Sequence, residues 1–119
     1  MSPKTTHLTQ SYRLYFLAVV ATWRGAHNDE NLELTAWDDK SWEILRVYDF
    51  SMSTLYASGT YTGDATKDGE LKCTITDGLA GIRLRDTKVT FTISGKTLAV
   101  PAILVDSQAS GTTINFTRK

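Results

Sequence analysis

Residues 41–50 set chemistry-bearing side chains two positions apart. Read as a strand, this segment puts Trp42, Ile44, Arg46, Tyr48 and Phe50 on one face and Ser41, Glu43, Leu45, Val47 and Asp49 on the other. The first face offers a stacking surface, a cation and a hydroxyl to one volume. That equipment suits an amphipathic molecule whose acidic head meets Arg46 and whose apolar body lies among Trp42, Ile44 and Phe50. A guanidinium on an apolar face needs a partner, and a ligand carboxylate, Asp38 or Glu33 would each supply one. Alternatively, Arg46 lies near a strand end and snorkels to solvent, or a bulge turns it outward.

Other polar clusters carry less chemistry. The run His27-Asn28-Asp29-Glu30 gathers groups able to ligate metal or move protons, but no second histidine is near it in sequence, so it reads as a solvated hairpin loop. Asp64, Asp68 and Glu70 lack the alternating oxygen ligands of a calcium loop and read as a polar turn. Arg83, Arg85 and Lys88 alternate with Ile82 and Leu84, which suits the wet face of a half-buried segment and lacks the aromatic interleaving of a nucleic-acid platform. Asn115-Phe116-Thr117 matches a glycosylation sequon but falls in an expected strand. The lone Cys73 sits on the apolar side of a strand and reads as a structural thiol. No phosphate loop, Ser-His-Asp arrangement or HExxH motif is present, and no cofactor or metal is expected.

The elements that must position these residues are strands. Apolar side chains alternate at Leu71, Cys73 and Ile75, at Val89, Phe91 and Ile93, and at Ile114 and Phe116, with polar residues between. Further strands are expected at 19–24, 32–37, 41–50, 55–62 and 97–105, the last at an edge, bulged or interrupted at Pro101. Residues 12–24 form either a buried strand or a short helix leading into one. Residues 79–85 form either a short strand or a 3₁₀ turn, and residues 25–31 a polar loop. Asp38-Asp39-Lys40, Asp68-Gly69, Asp77-Gly78 and Gly95-Lys96 mark turns. The pattern is all-β: an antiparallel up-and-down barrel of about eight strands over residues 12–119, with 1–11 as a flexible arm. Trp23, Leu34, Phe50, Leu71, Cys73, Ile75, Val89, Phe91, Ile93, Leu98, Ile114 and Phe116 form the expected core.

The 119 residues correspond to one domain, and 13 basic residues balance 13 acidic ones, which removes the electrostatic drive for nucleic-acid binding. The apolar run 14–21 follows Lys4 and Arg13 and ends in Val19-Val20-Ala21, the outline of a secretory leader. Cleavage there would leave Thr22 inside the first strand, so a first strand is preferred, and with it a cytoplasmic over an exported location. The run is far short of the about 20 residues a membrane-spanning helix needs.

Two segments resemble the lipocalin-like (calycin) β-barrels. Ala21-Thr22-Trp23-Arg24-Gly25 is similar to the Gly-x-Trp signature of a lipocalin first strand, with Ala21 at the glycine position. The hairpin at 89–98 and the last strand at 111–119, ending Arg118-Lys119, resemble the way such barrels close. The resemblance implies that Trp23 packs beneath Arg118. It also implies non-catalytic binding of a small hydrophobic or amphipathic molecule. Two alternatives stand beside it. One is a protein-interaction module of inhibitor or immunity type, with a solid core and exposed aromatics such as Trp37 and Tyr56. The other is a barrel isomerase or cyclase in which a few polar groups orient the substrate.

Overall fold

The structure, a computed structural model, describes residues 3–5, 16–48 and 53–119. Its strands are β1 (Pro3–Thr5), β2 (Phe16–His27), β3 (Glu30–Trp37), β4 (Ser41–Val47), β5 (Ser53–Thr62), β6 (Gly69–Asp77), β7 (Lys88–Ser94), β8 (Thr97–Pro101) and β9 (Thr113–Arg118). A helix, α1 (Leu79–Leu84), joins β6 to β7, and a 3₁₀ turn, η1 (Ala102–Leu104), follows β8. Every strand pairs antiparallel with its sequence neighbour, and β2 pairs with β9, so β2–β9 form a closed eight-stranded up-and-down barrel. Closure removes the free edges that an open sheet of this size would expose. Strand β1 adds to β2 through Pro3↔Ala18 and Thr5↔Phe16; the rest of the arm, residues 1–2 and 6–11, lies outside the described residues. No helix among the described residues is long and apolar enough to cross a membrane.

The alternation becomes a dry interior and a wet wall. Trp23, Trp42, Phe91 and Phe116 are the largest fully buried side chains, packed with Leu32, Leu34, Ile44, Ile75 and Leu98 in one cluster. Of the expected core, Val89 is half-buried, Phe50 lies outside the described residues, and the others are buried. The Phe116 ring lies against Gly25, where a Cβ would come within 3.0 Å of it, so the glycine makes room for the ring. Cys73 is 1% exposed, and burial pushes its thiol up to about 12, leaving it protonated and structural.

Barrel closure is centred on Trp23, whose backbone pairs with Arg118. The Arg118 guanidinium stands over the Trp23 ring at 5.7 Å, as the resemblance implied. Arg118→Met, which keeps most of the aliphatic stem, is expected to lower stability in a urea melt by about 0.5–2 kcal/mol, the range for such a pair. An unchanged midpoint would show that the pair adds nothing to closure.

Several elements differ from the sequence reading. Residues 25–31 are not a loop: β2 runs to His27, β3 starts at Glu30, and only Asn28 and Asp29 turn the chain, at φ 51° and 63°. Two consecutive positive φ angles are what a tight hairpin turn demands, and Asn and Asp tolerate them. Residues 79–85 contain a helix, whereas the interruption expected at Pro101 is present, β8 ending there and η1 following. Trp37 is buried at 8%, and Tyr56 is half-buried while Leu55 faces out. For Tyr56 and Leu55 the reason is a bulge in β5: Ile44 pairs with Ala57 and Leu45 with Leu55, so Tyr56 is the extra residue and inward parity changes there.

Candidate functional site

The barrel has two unlike ends. One carries the β3–β4 turn, the loop between β5 and β6 and the β7–β8 turn, and its polar groups serve local structure. Asp64 accepts from the Thr66 backbone N–H at 2.9 Å and from its hydroxyl, and these bonds hold its carboxyl below the ordinary range. Asp68 accepts from Gly95 N–H at 2.9 Å, and Glu70 pairs with Lys72 at 3.0 Å. These are turn contacts, in line with the polar-turn reading.

The other end gathers the β2–β3 hairpin, the end of β4, the start of β5, α1 and the β8–β9 connection. Register decides which side chains meet there. Leu32 pairs with Arg46, and Leu34 with Ile44, so Glu30, Leu32 and Leu34 share the inward face of β3 with Arg46, Ile44 and Trp42 of β4. Arg46 Nη1 lies 3.1 Å from Glu30 Oε2, with both side chains about one-third exposed at 36% and 28%. The partner is therefore Glu30, not Asp38 or Glu33. Reading Glu30 as part of a loop concealed it.

Two tyrosines complete the cluster. The Arg46 guanidinium stacks 4.4 Å from the Tyr48 ring centre, and the Tyr48 and Thr54 hydroxyls share a hydrogen bond of 3.1 Å. The bulged Tyr56 donates its hydroxyl to Glu30 Oε1. Desolvation first, then the bond to Glu30 and its charge, push the Tyr56 phenol up to about 12. A phenol whose folded pKa is raised adds stability below its unfolded value near 10, and that stability is lost as pH rises through the folded value. Spectrophotometric titration at 295 nm is expected to show Tyr56 ionising about two pH units above an ordinary tyrosine, with stability falling across that window. Tyr56→Phe should remove the late step, and a late step that survives would belong to another tyrosine.

The sequence-derived face 42–50 is thus divided. Trp42 and Ile44 are core residues at 2% and 0% exposure. Trp42 meets Phe91 edge-on at 5.0 Å and donates Nε1–H to Thr60 O at 2.9 Å. Arg46 and Tyr48 stand at the mouth, and Phe50 lies outside the described residues. A groove of about 310 Å³ bounded by Arg24, Gly25, Asn31, Leu32 and Val47 runs along this end of β2–β4. Its guanidinium, Arg24, is already paired with Glu33 at 3.2 Å.

His27 is not a solvated loop residue. Its Nε2–H donates to Asp106 Oδ2 at 2.9 Å, with both side chains about three-quarters buried. Nothing in the local sequence marks Asp106 as its partner, because the two lie on opposite sides of the chain's strand order and meet only when β2 closes on β9. No group of three or more His, Cys, Asp or Glu among the described residues is placed to hold a metal ion.

All five exposed large apolar side chains among the described residues, Val47, Tyr48, Leu55, Leu79 and Ile82, belong to this same end. No protein-family model, curated protein or solved structure matches the chain. The closed antiparallel barrel therefore stands on its own geometry.

Proposed function

We propose that this protein is a lipocalin-like binding protein that holds a small hydrophobic or amphipathic molecule, without covalent chemistry, at the mouth between β3, β4 and β5. The supporting observation is the polar tier of Arg46, Glu30, Tyr48 and Tyr56 set directly above the apolar tier of Ile44 and Leu32 on the same inward face. A ligand head meets the polar tier, and its body lies against the exposed ring of Tyr48 at the rim. Arg46 gives Nη1 to Glu30, and its other guanidinium N–H groups face a ligand oxygen.

Two fluorescent probes of similar shape test this, the anionic 8-anilinonaphthalene-1-sulfonate and the neutral N-phenyl-1-naphthylamine. Arg46→Ala is expected to weaken the anion by about 1.5–3 kcal/mol, the range for a hydrogen bond to a charged group, and to leave the neutral probe unchanged. Equal affinity of both proteins for the anion removes Arg46 from the site. Failure of either probe to bind the wild type overturns the reading.

A second reading, a protein-interaction module, draws on α1, where Leu79 is 51% and Ile82 is 82% exposed. Ile82→Asp separates the two: it leaves both probe affinities intact on the first reading and abolishes capture of a protein partner on the second.

A further inference from the structure

We propose that the β8–β9 connection is a pH-dependent lid over this end of the barrel, latched by His27 of the β2–β3 hairpin to Asp106, tight when the imidazole is protonated and looser when it is neutral. The lid governs access to the site of the proposed ligand and in that respect rests on that reading.

The connection is built as a plug on a short frame. Its first turn, η1, sets Ala102 and Leu104 into the core at 1% exposure each. Val105 N–H and Asp106 N–H both donate to Ala102 O at 3.0 Å, and Ala102 N–H donates to Thr112 O at 2.9 Å, so the segment carries its own backbone bonds and can move as a unit. Ala102 and Leu104 pack in the core, with Ile103, Val105 and Ala109 against it, and the segment's side-chain hydrogen bonds to the rest of the barrel lie at two places. On one side Arg83 Nη2 of α1 donates to Ile103 O at 3.3 Å. On the other, Asp106 Oδ2 accepts from His27 Nε2 at 2.9 Å and from Asn28 Nδ2 at 3.2 Å. Asp106 Oδ1 accepts from Gln108 N–H at 2.9 Å, which aims the carboxylate at the hairpin.

Acidic side chains meet His27 from two elements. Asp106 faces it from the connection, and Glu30 sits directly opposite it in the β2–β3 register. Glu30 is itself met by Arg46 from β4 and Tyr56 from β5, and Asp29 occupies the turn. Asp106 is the only ionisable side chain in 102–112, and residues 113–115 at the start of β9 carry no charge. The hydrogen bond from His27, followed by that from Gln108, holds the Asp106 carboxyl below its ordinary range, so it remains an anion across the interval in which histidine side chains change charge. Protonation of the imidazole turns a hydrogen bond to a carboxylate into an ion pair and adds the attraction of opposite charges.

Hydrogen exchange read by mass spectrometry at about pH 5.5 and 8, corrected for intrinsic rates, tests the lid on the free protein. Peptides spanning 102–112 are expected to be about tenfold better protected at the lower pH, from the added attraction between imidazolium and carboxylate. Peptides around Cys73 and Ile75 report global opening and should not follow them. His27→Gln should abolish the pH dependence, while His7→Gln should retain it. Asp106→Asn, which keeps an acceptor oxygen without the charge, should abolish it too and serves if His27→Gln does not fold. Equal protection of the wild-type connection at both pH values overturns the lid, as does a pH dependence that survives either latch variant. No ligand is present in this experiment, so its failure leaves the probe-binding result standing, and the converse holds.

Discussion

Gly59→Ala is expected to abolish cooperative folding. Gly59 lies on β5 between Trp42 of β4 and Ile75 of β6, next to the register shift at Ser58. A Cβ there would stand 1.7 Å from the Thr74 carbonyl oxygen, 2.8 Å from its carbonyl carbon and 3.2 Å from the Ile75 Cα. All three are backbone atoms of the neighbouring strand, so no side-chain rotation relieves the clash. Either β5 and β6 separate, breaking the Thr60↔Thr74 and Tyr61↔Cys73 pairs, or the barrel does not form. The cost belongs to the exceptional class above about 4 kcal/mol, against a total of about 5–15 kcal/mol for a domain. Circular dichroism on heating should show no sigmoidal transition. A variant that melts within a few degrees of the wild type would show that the two backbones are not this close.

Phe91→Ala is expected to cost about 3–5 kcal/mol, the penalty for deleting a core aromatic. Phe91 is 1% exposed and pairs across the sheet with Leu71. Its contact with Trp42, at 5.0 Å and 74°, is edge-to-face, a geometry worth about 0.5–1.5 kcal/mol beyond burial. Urea denaturation should show a lower midpoint at unchanged slope. A loss below about 1 kcal/mol would place Phe91 on the wet face, with β7 slipped by one residue.

The barrel was legible where one strand face is wet and the other dry. Leu71, Cys73 and Ile75 alternate with Lys72 and Thr74, and only one registration buries them. The closing contact of Trp23 with Arg118 was accessible through the resemblance alone, because no local pattern links residues at the two ends of a barrel. The mouth was harder to read for a physical reason: strand termini at a barrel rim are polar on both faces. His27 and Glu30 therefore look like loop, and the tight turn between them has Asn-Asp in place of the more recognisable Asn-Gly. Alternation did place Arg46 and Tyr48 on the face of Trp42 and Ile44. It could not show that the rim divides this face between a buried pair and an exposed one. The β5 bulge at Tyr56 defeats alternation outright, since one extra residue reverses parity along the strand.

The seam between β2 and β9 also governs how the chain reaches this shape. The other seven junctions of the barrel join strands that are consecutive in sequence, so each forms as a local hairpin. The seam joins Trp23 to Arg118 and Arg24 to Thr117, and it gains nothing until every hairpin between them is in place. Chain closure over that separation is entropically unfavourable until the seam forms, so the seam is the slow step. A chain delayed at that step carries two unpaired strand edges, β2 and β9, each complementary to the other edge of a second copy. Folding yield should therefore depend on protein concentration during refolding even though the finished barrel has no edge to offer.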